Sequence, residues 1–253
     1  MDTLRIAFAG KGGVGKTALS AAFIRLLSER FPDKKILAVD ADPAVGLSTA
    51  LGMEPPLTLD EVRVKIAESI DQGETADAVS LLSEARFHLE DCIAEKGPIS
   101  FFAIGRPESA GCYCKVNAYL KQVLEAISGN YDFVVIDGEA GIEQINRRVM
   151  ETVDRLVLVS DLSRKGLDVV RTIRSVAERL VACKEAGLIL NRAFSDFDPA
   201  GADLPPVLAV IGDDPNQARL DAMGESVFNL PADSALLAGA GQALDAILAK
   251  AGA

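Results

Sequence analysis

The octapeptide Gly10-Lys11-Gly12-Gly13-Val14-Gly15-Lys16-Thr17 constrains this chain more than any other feature. It follows the apolar run Leu4 to Ala9 directly and leads straight into a helical pattern from Thr17 to Arg30. A strand, a glycine-rich turn matching GxxxxGK[ST] and a helix, in that order, make a phosphate-binding loop. The reason is chemical. Glycines let successive backbone N–H groups curl around phosphate oxygens, and the helix that follows turns the positive end of its dipole toward the same anion. In such a loop Lys16 reaches the β and γ phosphates of a nucleotide, and Thr17 offers its hydroxyl to magnesium.

The rest of the chain keeps the βα rhythm. Further strands are predicted at Ile36 to Asp40, Ile99 to Ile104, Phe133 to Asp137, Arg155 to Ser160, Leu188 to Asn191 and Val207 to Ile211. They are apolar throughout, without alternation, which predicts helices on both faces of a mainly parallel central sheet: an α/β fold of three α/β/α layers. Helical patterns run over Thr17 to Arg30, Asp60 to Ile70, Asp77 to Ile93, Val116 to Ser128, Gly141 to Met150, Lys165 to Ala182, Asn216 to Met223 and Asp233 to Lys250. From Glu54 to Glu95 polar helical segments interrupt the rhythm, and a mobile flank is predicted there. With no internal repeat or low-complexity linker, residues 1–253 read as a single domain.

Composition narrows the setting. With 37 acidic and 26 basic residues the formal charge is −11, which excludes a simple basic nucleic-acid binder. Aromatics are only 5% and Trp is absent, so the core must be aliphatic. Four cysteines are too few for a disulfide framework at this length. The N-terminus lacks the basic region and cleavage site of a signal peptide, and no apolar run approaches the roughly 18 residues that span a bilayer. A cytoplasmic protein with no membrane attachment is expected.

Several side chains carry candidate chemistry. Asp40-Ala41-Asp42-Pro43 and Asp137-Gly138 close two predicted strands, so their carboxylates belong to the sheet edge that also carries the phosphate loop. That arrangement suits Mg²⁺, which keeps several waters and takes few protein carboxylates. Asn191-Arg192 closes another strand at the same edge. Cys112-Tyr113-Cys114 precedes a predicted helix start and neighbours Lys115, an environment that lowers thiol pKa values. Two sulfurs make half of a four-coordinate site, and a two-fold dimer would bring four together for tetrahedral Zn²⁺ or tetragonal Ni²⁺. A pair of small core residues, a redox disulfide or part of an iron–sulfur ligand set are the competing readings of the same motif. Cys92 and Cys183 read as core packing, Cys183 at the end of the helix Lys165 to Ala182. His88, the only histidine, reads as structural or exposed.

The string KGGVGKT resembles the signature of the deviant Walker A ATPases within the P-loop NTPase fold. That resemblance implies an ATP-dependent homodimer in which Lys11 reaches the nucleotide of the opposing subunit. It implies that Gly10 to Ala18 wraps the nucleotide, that Asp42 orients the attacking water, and that Asp40 and Asp137 hold the water shell of magnesium. Asp137-Gly138-Glu139-Ala140-Gly141-Ile142-Glu143 is similar to the family's second switch. Asn191 falls where an amide reads adenine, with Arg192 either stacked on the base or exposed.

Within that family the CxC, read as CYCKVNAYL, together with DGEAGIE, resembles the CooC-type nickel-insertion ATPases of carbon monoxide dehydrogenase. Slow ATP hydrolysis, nickel (or zinc in vitro) on Cys112 and Cys114, and carbon monoxide dehydrogenase or a related nickel enzyme as client are what this implies. Two other outputs remain open. A ParA- or MinD-like positioning ATPase would attach to DNA or membrane, yet Ala243 to Ala253 contains one Lys and one Asp rather than a basic amphipathic tail. Arg147, Arg148, Arg164, Lys165, Arg171 and Arg174 read as a solvated face or a docking surface for an acidic partner. A reductase similar to the nitrogenase iron protein would need two widely separated cysteines, whose positions Cys92 and Cys183 do not match.

Overall fold

The computed structural model describes residues 3–42, 44–62, 64–65, 92–105, 121–122, 124–138, 152–180, 182–193 and 203–251. Its centre is one eight-stranded sheet. The strands are β1 (Leu4–Gly10), β2 (Ile36–Asp40), β3 (Ala94–Lys96), β4 (Ile99–Ala103), β5 (Phe133–Asp137), β6 (Thr152–Ser160), β7 (Ala182–Asn191) and β8 (Val207–Ile211). They lie in the order β3-β4-β2-β5-β1-β6-β7-β8, and every pairing is parallel except the β3–β4 hairpin. Parallel pairing aligns the C-terminal ends of β1, β2, β5, β6 and β7 along one edge, which is where the phosphate loop departs.

Both faces of the sheet are covered, as the unalternating strands predict. Ile6, Phe8, Ile36 and Ala38 pack against helix α1 (Lys16–Arg30) and the C-terminal helix, here α5 (Ala235–Ala251), with Phe8 meeting Phe23 edge to face at 5.0 Å between centroids. Ala7, Ala9, Leu37 and Val39 face the other layer, which includes Val170, Ile173 and Ala177 of α3 (Arg164–Leu180). Two short helices, α2 (Gly46–Leu51) and α4 (Pro215–Met223), complete the rim near the loop. The three-layer α/β/α reading therefore stands.

Several elements differ from the sequence reading; β6 starts at Thr152 and not Arg155, and the short helix α2 was not read. The pattern predicts helix through Ala182 and a strand only from Leu188, but α3 stops at Leu180 and β7 begins at Ala182. Ala182, Cys183, Lys184 and Glu185 suit helices locally; pairing in register with β6 from Thr152 onward overrides that preference. Cys183 is accordingly a half-buried strand residue and not the end of a helix. The hairpin strand β3 had no counterpart in the sequence reading, although Gly97-Pro98, with Gly97 at φ 59°, is its turn signal. Finally, Leu59, Val62 and Cys92 are buried in the core, so the two ends of the predicted mobile flank are packed in place. The expectations at 66–91, 106–120 and 139–151 lie outside the described residues; these include His88, Cys112, Cys114, Arg147, Arg148 and the segment from Glu139.

Candidate nucleotide site

Two glycines of the phosphate loop stand where no side chain fits. Gly10 lies at φ 153° with Val159 O where a Cβ would stand. Gly15 lies at φ 95°, left-handed, and a Cβ there would collide with Asn191 Nδ2. Gly15 is also the N-cap of α1 and carries no side-chain cap, so the N–H groups of the first turn are left to an anion. Gly12 and Gly13 are exposed at the tip.

The cations around the loop rest on acceptors of their own chain. Lys16 is buried, and its Nζ donates to the Lys11 carbonyl at 3.3 Å. Arg192, in the left-handed region at φ 55°, donates from a guanidinium nitrogen to Gly13 O at 3.3 Å. Its side chain is exposed. Asn191 is buried and donates from Nδ2 to Val14 O at 2.8 Å. That bond fixes which way the amide faces and leaves Oδ1 as an acceptor, a group that pairs with an amino donor and not with a carbonyl.

Two aspartates meet beneath the loop. Asp40 and Asp137 are register partners at the ends of β2 and β5, and both are buried. Asp40 accepts the Asp42 N–H at 3.0 Å and the Leu47 N–H at 2.8 Å, which ties the turn 40–47 around one carboxylate. Burial first, and then the charge of Asp137, push its pKa up to about 7. Burial likewise lifts Asp137 to about 6, with the Thr17 hydroxyl, the Lys16 ammonium and Ser20 pulling the other way. Ser20 Oγ stands 3.2 Å from Asp137 Oδ1 and 3.0 Å from Lys16 O, one proton for two acceptors. Asp137 Oδ2 is buried without a hydrogen-bond partner among the described residues. A buried carboxylate oxygen left unpaired, beside a second carboxylate and a threonine hydroxyl, is the donor set a hydrated Mg²⁺ takes, so the residues fit the ion.

Asp42 sits one turn farther out. Its Oδ1 accepts the Ala44 N–H at 2.9 Å, and the residue lines the same groove as Gly12, Gly13, Lys16 and Thr17. That groove encloses about 390 Å³. A second hollow of about 200 Å³, lined by Asn191, Gly212, Asp213, Pro215 and Gln217, adjoins it through Gly15, Ala18, Arg192 and Asp221. Together they form a cleft of the size that holds a mid-sized ligand. The β8–α4 loop and α4, which wall the second hollow, were not singled out in the sequence; Gly212-Asp213-Asp214-Pro215 after an apolar strand was the available signal.

Among the described residues no group of three or more His, Cys, Asp and Glu could hold a metal ion, and no helix is long and apolar enough to cross a membrane. Of the basic residues on α3, Arg171 pairs with Asp168 at 2.7 Å, and Arg174 pairs with Glu178 at 3.1 Å and with Asp203 at 3.6 Å.

Comparison with known proteins places the same residues in a family. Residues 4–184 match the family described as AAA domain. An uncharacterized ATP-binding protein of Methanocaldococcus jannaschii, MJ0685, is 33% identical over 89% of this chain and 91% of its own. The carbon monoxide dehydrogenase accessory protein CooC of Rhodospirillum rubrum is 29% identical over 79% of this chain and 82% of its own. Among solved structures, the septum site-determining protein MinD of Pyrococcus horikoshii, complexed with Mg-ADP, superposes with a TM-score of 0.68 at 23% identity, covering 97% of this chain and 96% of that one.

Proposed function

The chain belongs to the AAA domain family of P-loop ATPases, and on that premise we propose that it is a metallochaperone switch. ATP closes a homodimer, and Cys112 and Cys114 of each protomer hold a soft divalent ion between them. As a member of the family the chain is an ATP-hydrolysing enzyme; the further reading concerns what hydrolysis is for. The ion is nickel, with zinc as its stand-in in vitro, and the client is carbon monoxide dehydrogenase or a related nickel enzyme.

The observation that carries the catalytic part is the convergence of Lys16, Thr17, Asp40 and the unpaired Asp137 Oδ2 under one glycine loop. Phosphoryl transfer to water needs little covalent help from a protein; it needs positioning and neutralised charge. Lys16 leaves the Lys11 carbonyl for the β and γ phosphates, and the N–H groups of the first turn of α1 take the remaining oxygens. Magnesium, held through Thr17 and the water shell on Asp40 and Asp137, would offset the charge of the phosphates. Asp42, which lines the same groove, orients the attacking water. Asn191 Oδ1 selects the base.

Support for the metal-handling part comes from the Cys112-x-Cys114 spacing, which provides four thiolates per two-fold dimer, and from the likeness to CooC over most of both chains. Equilibrium titration of the purified protein with Ni²⁺, in Mg²⁺–ATP and in Mg²⁺–ADP, tests it. One ion per dimer is expected, tighter in one nucleotide state than the other; retention of stoichiometric nickel by Cys112→Ser would overturn it.

A second reading, a positioning ATPase of the MinD kind, draws on the fold likeness. Against it, Arg171 and Arg174 are engaged by neighbouring acids. ATP-dependent co-sedimentation with liposomes or DNA would bring this reading to the front.

A further inference from the structure

Lys11 is the loop residue that its own phosphate cradle does not need. Its carbonyl receives the Lys16 ammonium, and its side chain turns the other way, across the end of β1 to the end of β6. There Nζ stands 3.4 Å from Asp161 Oδ2, a pair about one-third exposed on each side. The two partners differ in freedom. The lysine side of the pair is a long flexible stem, whereas the aspartate is built in.

Asp161 is held by the start of α3. Its Oδ1 accepts the Ser163 hydroxyl at 2.5 Å and the Ser163 N–H at 3.2 Å, while its own carbonyl accepts the Ser160 hydroxyl at 2.8 Å. Ser163 Oγ in turn accepts the Gly166 N–H at 3.0 Å, as an N-cap side chain does. Gly166 is buried against this turn so closely that a Cβ would collide with both Asp161 Oδ1 and Ser160 Oγ. These bonds occupy one carboxylate oxygen and aim the other at Lys11. The Ser163 hydrogen bond, opposed by burial and helped by Lys11, also holds the Asp161 carboxyl below the usual range, so it stays charged.

We propose that Asp161 is a positioning residue that parks Lys11 within its own protomer, so that closing the ATP-bound dimer requires each Lys11 to leave Asp161 for the partner's phosphates. This rests on the dimer reading above and adds its control: the latch sets how much protein and nucleotide are needed for closure. Ion pairs about one-third exposed contribute modestly. With two latches opened per dimer, their loss shifts the monomer–dimer midpoint by about 2- to 30-fold.

The test is sedimentation of the full chain with Mg²⁺ and the non-hydrolysable analogue AMPPNP over a range of protein concentrations. Asp161→Asn keeps an oxygen for Ser163 and removes the charge; its midpoint should fall to lower protein concentration by that factor. The gain should shrink in 0.5 M salt, because exposed pairs are screened. In a Lys11→Ala background the same substitution should change nothing. Ser163→Ala, which weakens the helix cap and the aim of Asp161 but keeps its carboxylate, should lower thermal stability and shift the midpoint in the same direction by less than Asp161→Asn. An unchanged or higher midpoint for Asp161→Asn beside a dimerising wild type overturns the latch alone, as does an equal shift in the Lys11→Ala background. A wild type that stays monomeric with Mg²⁺–AMPPNP overturns the dimer reading, and the latch with it.

Discussion

At Gly15 a single hydrogen atom decides whether the site can form. The residue is left-handed, caps α1 and lies against Asn191 Nδ2, so Gly15→Ala meets two separate penalties. The backbone penalty is about 1–2 kcal/mol. The second is the displacement of Asn191 from Val14 O, a buried bond whose loss costs about 1–3 kcal/mol. Urea denaturation of Gly15→Ala, Asn191→Ala and the double variant should therefore be non-additive, the double costing less than the sum of the singles. Additive costs would mean that the two residues do not meet. The glycines, Lys16 and Thr17 were legible in the sequence because their spacing encodes one local shape. The partners Asn191–Val14 and Lys11–Asp161 were not, since 177 and 150 residues separate them and only the strand order brings them together.

Among the elements, α4 and α5 share a device no local pattern announces. Asp214 accepts the N–H groups of Asn216 and Gln217 on Oδ1, at 3.0 and 3.2 Å. On Oδ2 it accepts the Ser234 hydroxyl at 2.5 Å and the Leu236 N–H at 3.0 Å, so one carboxylate serves two helix starts. Burial disfavours its charge, but the Leu236 N–H, the Ser234 hydroxyl and the two α4 N–H groups outweigh burial and hold the pKa below its ordinary value. A carboxyl whose folded pKa is depressed adds stability that is present above about pH 3.9 and is lost as pH falls through the lower folded value. Asp214→Ala should cost about 1–2 kcal/mol at pH 7, with the gap to wild type closing toward pH 3 in chemical denaturation. A gap independent of pH would leave the aspartate only a steric role. The start of α4 was legible from Asp214-Pro215, a cap followed by proline. The α3–β7 boundary was not, because Ala182 to Glu185 has helical preferences and only the register with β6 makes it a strand.

On the scale of the whole molecule, the proposed nucleotide site is a property of the sheet edge rather than of any segment. Residue 10 of β1, Asp40 of β2, Asp137 of β5 and Asn191 of β7 reach it from four separate strands. Nucleotide binding should therefore stabilise the global fold, and the linkage is quantitative. At a hundred times its dissociation constant a ligand adds about 2.7 kcal/mol. In a chain of this size 1 kcal/mol raises the melting temperature by about 2–4 °C. Mg²⁺–AMPPNP at that concentration should thus raise it by about 5–10 °C, with less when EDTA removes the magnesium that the unpaired Asp137 Oδ2 calls for. Lys16→Ala should lose most of the shift while melting within a few degrees of wild type without nucleotide, because its ammonium then contributes one 3.3 Å bond to the loop and a charge near Asp137, whose raised pKa lets it take up a proton instead. A shift equal in EDTA would place the aspartates outside the metal's reach. An equal shift in Lys16→Ala would place the triphosphate somewhere other than this loop.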